Sequence, residues 1–366
     1  MRKLLTVIGA RPQFIKAAPV SRAIAEHASL QEVTVHTGQH YDTSMSDVFF
    51  DELEMAPPKH NLGVGSGTHG VQTGEIMCRL EKVIETEQPD MVLIYGDTNS
   101  TLAAALVAAK GCIPLAHVEA GLRSFNRAMP EEINRIVADR LSVLLFAPTT
   151  TAVRNLANEG IHTGVYKTGD VMYDAAVRYA KIAESKSHVL QRLDLQPGTY
   201  IVATVHRAEN TEDGKRLANI LSALRAITSR FPVVLPLHPR TRKMIARHRL
   251  QDLLQHITVI EPLGFLDMTR LQSNARLIAT DSGGMQKEAY FHRIPCVTLR
   301  TETEWVETVM SGWNTLADPR CADEMQARLD EVLASARPQS VIEEYGNGTA
   351  AYEIVTIIAR HFDMLQ

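Results

Sequence analysis

The stretch HVEAGLRSFNRAMPEEINR, residues 117–135, loads one connection with Glu119, Arg123, Arg127, Glu131 and Glu132. An apolar strand-like run (IPLAHV) stops at it and a helix-like run (INRIVADRLSVLLF) follows it. Pro130 suits the first helical position. Glu131 and Glu132 then fall in the first turn, where the helix dipole favours carboxylates. Glu132 can reach back to an unpaired backbone N–H, as in a capping box, which is a structural role. Glu131 can pair with Arg135 one turn on. Glu119 has no such explanation. It ends an apolar strand, beside Asp97 at the end of another, and neighbouring carboxylates push their pKa values apart, as proton transfer requires.

A second chemical pattern is ARLIATDSGGMQKEA, residues 275–289, which reads as strand, Ser-Gly-Gly turn and helix start. Glycines let backbone N–H groups approach a phosphate, and the helix N-terminus adds a positive partial charge. Its plainer reading is a βα turn with a serine cap. Arg11 and His238, also at strand ends, favour the phosphate. GSGTHG (65–70) matches the dinucleotide fingerprint, but the preceding PPKHNLGV does not read as a buried strand. It is read as a glycine loop beside a cleft, not as a nicotinamide site. GxxxxGK[ST] and HExxH are both lacking, and no metal is expected.

These residues need elements to position them. Short apolar runs alternate with helical segments: KLLTVIG, QEVTVHTG, MVLIYGD, IPLAHVEAG, VLLFAPT and VYKTGD, then TYIVATVHR, VVLPLHP, ITVIEP, ARLIATDSGG and IPCVTLR. A helix is expected near DVFFDELEM. The pattern predicts α/β architecture with buried parallel sheets, as two Rossmann-like doubly wound domains. Residues 1–175 form the first, 176–350 the second, and 351–366 a helix packing back on the first. The polar residues follow the apolar strands, where such sheets bind ligands, which points to one cleft between the domains.

The 366 residues with 45% hydrophobic content can bury two sizeable cores. A net charge of −4 without basic blocks gives no reason to expect nucleic acid or an anionic membrane as partner. No apolar run approaches the ~20 residues that span a bilayer. Cys78, Cys112, Cys296 and Cys321 form no CxxC pair and read as reduced, mostly buried thiols of a cytoplasmic protein.

The blocks GARPQFIKAAPV, HTGQHYD, YGDTNSTLA, HVEAGLRS, PEEINR, VHRAEN, LPLHPR, TDSGGMQKEA and RTETEWVE together resemble the non-hydrolysing UDP-N-acetylglucosamine 2-epimerases from end to end. The resemblance implies the glycosyltransferase-B arrangement, a UDP-sugar substrate, no cofactor and a homodimer. It implies inversion at C2 by elimination of UDP to a 2-acetamidoglucal, followed by protonation on the other face and re-addition. It carries the catalytic residues onto Asp97, Glu119, Glu131 and His206, without settling which is base, acid or orienter. Diphosphate contacts fall on Arg11, Ser282, Gly283 and Gly284, with His238 close by. Glu304 would bind the ribose hydroxyls, Lys16 lies near the sugar-phosphate end, and Phe265 falls in the expected uracil loop.

Departures exist. Where family members often carry RPE, HRRE and TERPE, this chain reads Arg11-Pro12-Gln13, His206-Arg207-Ala208-Glu209 and Thr303-Glu304-Trp305-Val306-Glu307. Val71-Gln72 stands where many members place an Arg-Gln pair for a second, activating substrate molecule. The variants look closer to relatives acting on UDP-2,3-diacetamido-2,3-dideoxyglucuronate, an O-antigen precursor, whose C6 carboxylate Arg123 and Arg127 could face. A glycosyltransferase using a UDP-sugar donor, a nucleotide-sugar sensor and a hydrolysing epimerase remain alternatives.

Overall fold

The computed structural model describes residues 1–39 and 50–364. The chain divides into two compact units, Met1–Ala175 together with Glu343–Gln366, and Ala176–Ile342. The return to the first unit thus begins at Glu343, ahead of the boundary expected at 351.

The first unit is built on seven parallel strands: β1 (Arg2–Ile8), β2 (Leu30–His36), β3 (His60–Asn61), β4 (Met91–Tyr95), β5 (Leu115–Val118), β6 (Leu144–Ala147) and β7 (Val165–Lys167). Their order is β3-β2-β1-β4-β5-β6-β7. The direction of winding reverses between β1 and β4, the switch point at which such sheets place ligands. Every residue of β4 (MVLIY) is fully buried, as expected of a strand covered on both faces. Helix Asn99–Lys110 lies on it with a run of alanines, which lets backbone and sheet approach closely. Helix Ala350–Asp363 packs against helix Arg11–Ala25, and Tyr352 Oη donates to Glu26 Oε2 at 2.8 Å.

The second unit has the order β10-β9-β8-β11-β12-β13, again all parallel: β8 (Ile201–Thr204), β9 (Val233–Pro236), β10 (Thr258–Ile260), β11 (Leu277–Thr280), β12 (Cys296–Thr298) and β13 (Asn314–Leu316). Its switch point lies between β8 and β11. One face of the sheet is filled by Ile201, Leu235, Leu277 and Val297 against Leu217, Leu221 and Leu224 of helix Gly214–Ile227.

Two strands escape the sequence pattern. β3 is a two-residue edge strand and β13 a three-residue one, both too short for a visible apolar run. Residues 47–49 of the helix expected near DVFFDELEM, and His40 to Asp42 of HTGQHYD, lie outside the described residues. The cysteine expectation is corrected: Cys78, Cys112 and Cys321 are exposed, and only Cys296 is buried, its thiol pushed up to about 12 by burial. Among the described residues no helix is long and apolar enough to cross a membrane.

Candidate active site

In the first unit the chemistry gathers at the ends of β1, β4 and β5. The turn after β4 is Gly96-Asp97-Thr98, and Thr98 caps helix Asn99–Lys110. Gly96 has φ +60°, and a Cβ there would lie 3.2 Å from both Glu119 Oε2 and Lys16 Nζ. The Gly96 peptide is therefore the floor beneath a Lys16–Glu119 ion pair, whose side chains are almost entirely buried. Glu119 itself has φ +72°, a left-handed conformation uncommon for a non-glycine residue. Such strain persists only where surroundings enforce it and clusters at functional sites. Here the Glu119 and Ala120 N–H groups both donate to Phe146 O at 3.1 Å.

Asp97 Oδ2 pairs with Arg135 Nη2 at 2.6 Å. Arg135 Nη1 also holds Glu132 Oε2 at 3.0 Å. Burial would lower the Arg135 pKa, but Asp97, Glu119 and Glu132 outweigh it and the pKa is raised. The expected Glu131–Arg135 pair does not form, because Arg135 is spent on Asp97 and Glu132. No hydrogen bond or ion pair ties Glu131, partly exposed in the first turn of helix Pro130–Leu141, to another described residue.

Glu132 is structural, though not through the expected capping box. Met129 is the N-cap, and Glu132 instead accepts from Ser124 N (2.9 Å), Ser124 Oγ (2.9 Å) and Phe125 N (3.0 Å). Burial opposes its charge, but these bonds and Arg135 hold the carboxyl below its usual range. It thereby ties down a loop in which Phe125 has φ +58°.

Arg123 is a correction. Its guanidinium grips Glu159 through two bonds (2.7 and 2.8 Å) and Asp139 through a third (2.7 Å), and its side chain is 1% exposed. A further Nη1 bond to Leu122 O (2.7 Å) completes the grip, so this buried guanidinium is committed to the protein's own acceptors and does not project toward a substrate carboxylate. Arg127, on the same connection, is exposed.

Arg11 opens helix Arg11–Ala25 at the end of β1. Two residues on, Gln13 is fully engaged: its oxygen accepts from Gly9 N (2.8 Å) and Ala10 N (3.1 Å), and its amide donates to Tyr95 O (2.8 Å) and Thr101 Oγ1 (3.0 Å). A glutamate there could not donate, which gives the RPQ departure a physical reason. The GSGTHG loop follows the edge strand β3 and opens helix His69–Glu87, which is not the buried strand-to-helix turn of a dinucleotide site. Gln72 donates to Gly65 O and accepts from Asn99, while Val71 is exposed.

The second unit gathers its residues at its own switch point. Asp281, fully buried at the end of β11, accepts from His206 N (3.1 Å to each oxygen), Arg207 N (3.0 Å) and Asn210 Nδ2 (3.1 Å). Its Oδ1 also lies 3.3 Å from His206 Nδ1. The ring is thus oriented from behind while its side chain stays 45% exposed. Next come Ser282, whose Oγ caps helix Gly283–Phe291, and the two glycines. A Cβ on Gly283 would sit 2.1 Å from Glu304 Oε1, whereas one on Gly284 would meet only Ser282 Oγ at 3.9 Å. Gly284 therefore opens the helix N-terminus to a visitor. Glu304 receives Arg300 Nη1 at 3.0 Å and lies 3.8 Å from Arg207 Nη2; burial opposes its charge, but these arginines keep its carboxyl below the usual range. His238 caps helix Pro239–His248 through Nδ1, and burial, His206 and Arg240 lower its pKa.

Phe265 is a second correction. Phe265 is 8% exposed and its ring meets that of Tyr179 in a T-shaped contact at 5.1 Å, so most of its surface serves the core. The sequence pattern puts His117 and Asp281 among the polar residues at strand ends without giving either a role, and it passes over Asp139. Asp281 carried a signal, since it immediately precedes the Ser-Gly-Gly turn.

Comparison with known proteins agrees with this geometry. A family model described as UDP-N-acetylglucosamine 2-epimerase matches residues 22–359. The chain belongs to the UDP-N-acetylglucosamine 2-epimerase family. Among similar family members, a UDP-N-acetylglucosamine 2-epimerase homolog of Methanococcus maripaludis is 49% identical, over 97% of this chain and 99% of its own. A UDP-2,3-diacetamido-2,3-dideoxy-D-glucuronate 2-epimerase of Pseudomonas aeruginosa is 48% identical, over 98% and 99%. The crystal structure of the Methanocaldococcus jannaschii UDP-GlcNAc 2-epimerase, in complex with UDP-GlcNAc and UDP, is similar with a TM-score of 0.88. It shares 41% identity, over 98% of this chain and 99% of that one.

Proposed function

We propose that this epimerase-family chain inverts C2 of a UDP-linked 2-acetamido sugar without hydrolysing it. The carrying observation is the pair of carboxylates at adjacent strand ends, Asp97 against Arg135 and Glu119 against Lys16, over the Gly96 turn. In the forward step a carboxylate takes the C2 proton while the C1–O bond breaks and its electrons leave with UDP, giving the 2-acetamidoglucal. In the return step an acid protonates C2 on the other face and UDP re-adds at C1. Asp97, Glu119 and Glu131 are the proton-transfer set. His206, oriented by Asp281, donates toward the leaving diphosphate. The N–H groups of Gly283 and Gly284, with Ser282, Arg11 and His238, stabilise the departing charge. Glu304 takes the ribose hydroxyls.

The substrate is UDP-N-acetylglucosamine in the first reading. The second is UDP-2,3-diacetamido-2,3-dideoxyglucuronate in O-antigen synthesis, favoured by 48% identity to an epimerase of that name and by exposed Arg127. The family resemblance supports a cytoplasmic homodimer, which sedimentation velocity tests. Incubation of the enzyme with each UDP-sugar in D₂O tests the reaction. Deuterium at C2 with the UDP linkage intact is expected. Free sugar and UDP would mark a hydrolysing epimerase, and no exchange would mark a transferase or sensor.

A further inference from the structure

The mechanism above does not use His117, which lies on β5 two residues before Glu119 and is fully buried. Its Nδ1 is 2.7 Å from Asp139 Oδ1, and its Nε2 is 2.8 Å from Gly96 O. A backbone carbonyl can only accept, so Nε2 carries a hydrogen. Asp139 Oδ2 already accepts from Arg123 Nη1 at 2.7 Å and from Gly121 N at 3.1 Å, which leaves a carboxylate facing Nδ1. Nδ1 must then donate as well.

We propose that His117 is a buried imidazolium that acts as a positioning residue, clamping the Gly96 carbonyl so that the peptide beneath Glu119 and Lys16, and the Asp97 that follows it, are held in their reactive places. The charge fits the surroundings. Arg123 and His117 are balanced by Asp139 and Glu159, so the cluster is neutral as a whole. Burial would raise the Asp139 carboxyl, but His117 and Arg123 prevail and hold it below the usual range. Across the Gly96 peptide the network meets the Lys16–Glu119 and Asp97–Arg135 pairs. Gly96 has a left-handed φ, and the carbonyl it presents to His117 is what sets the plane of the Gly96–Asp97 peptide. The proposal rests on the epimerase reading only for its effect on catalysis; the protonation state stands alone.

Two measurements test it on the full chain. Nitrogen-15 NMR of histidine-labelled protein is expected to show one histidine with hydrogens on both ring nitrogens, both slow to exchange. A neutral single tautomer for His117 overturns the proposal. For the second, His117→Gln keeps an amide donor for Gly96 O but removes the positive charge. It is expected to lower kcat in the deuterium-exchange assay by roughly tenfold to a hundredfold with KM little changed. The acid limb of its kcat/KM profile should also rise by about one pH unit, because a cation near the carboxylates is gone. An unchanged kcat, or a fall in kcat with an unmoved acid limb, refutes the positioning-by-charge argument. Should the wild type exchange no deuterium, the epimerase reading fails while the NMR result still decides the imidazolium.

Discussion

Alanine at Gly284 separates binding from stability. The position is the second residue of helix Gly283–Phe291, its φ is not in the left-handed region, and a Cβ would meet nothing nearer than Ser282 Oγ at 3.9 Å. The fold therefore loses nothing, and helix propensity favours alanine by up to about 0.5–1 kcal/mol. For a unit of this size that corresponds to a Tm rise of roughly 1–4 °C. The same Cβ occupies the space a phosphate needs to reach the helix N–H groups. Loss of one charge-assisted hydrogen bond costs about 1.5–3 kcal/mol, so UDP should bind roughly ten- to a hundredfold more weakly. Differential scanning calorimetry and isothermal titration with UDP read the two effects on one preparation. Gly284→Ala binding UDP as tightly as the wild type would refute the placement of the diphosphate. Gly283→Ala is the control of opposite kind: its Cβ falls 2.1 Å from Glu304 Oε1, on a carboxylate whose other oxygen is held by Arg300, so it should lower Tm in the absence of any ligand.

Asp281→Asn replaces an acceptor of several N–H groups by an amide that must point its own donors at some of them. Stability should fall by about 2–4 kcal/mol in urea melts, and kcat by roughly a hundred- to ten-thousandfold as His206 loses its orientation. Asp174 accepts from Ala350 N and Ala351 N in a buried site, and burial pushes its carboxyl up to about 6. The native state then holds this proton where the unfolded chain has lost it. Stability of the first unit should therefore decline as pH rises from about 4 through 6, by up to about 3 kcal/mol, and Asp174→Asn should flatten that slope in pH-resolved melts. Arg123→Ala takes one charged donor from Asp139, which keeps His117 and Gly121 N, and should destabilise the first unit by about 1.5–3 kcal/mol. Arg127→Ala should leave stability unchanged and, in competition binding, shift preference away from the diacetamidouronate toward UDP-N-acetylglucosamine; unchanged preference would remove Arg127 from the substrate pocket.

Parallel sheets announce themselves. Strands such as MVLIY and LIAT are buried on both faces and read as unbroken apolar runs, and their following turns hold Asp97, Glu119, His206 and the Ser-Gly-Gly cap where the pattern puts them. Direction of side chains is another matter. Arg123 and Arg127 are four residues apart in one connection, yet one turns inward to Glu159 and the other stays in solvent, since that depends on a carboxylate that lies far along the sequence. Glu132 was legible as structural, but its loop partners were not. The resemblance puts Phe265 in the uracil loop, and its packing against Tyr179, far back along the chain, is not legible in the sequence. His117 reads as one more buried strand residue until Asp139 and the Gly96 carbonyl are seen on its two sides.

The first unit is discontinuous, with Glu343 onward rejoining Met1–Ala175 after the whole of the second. A ribosome therefore delivers Ala176–Ile342 as one contiguous, self-contained stretch that can collapse early. The piece that lays helix Ala350–Asp363 on helix Arg11–Ala25 emerges only afterwards. The half bearing Asp97 and Glu119 must wait, partly assembled, for its closing segment. Truncation just after Ile342 would thus cripple the amino-terminal half of the molecule, and leave the carboxyl-terminal sheet intact.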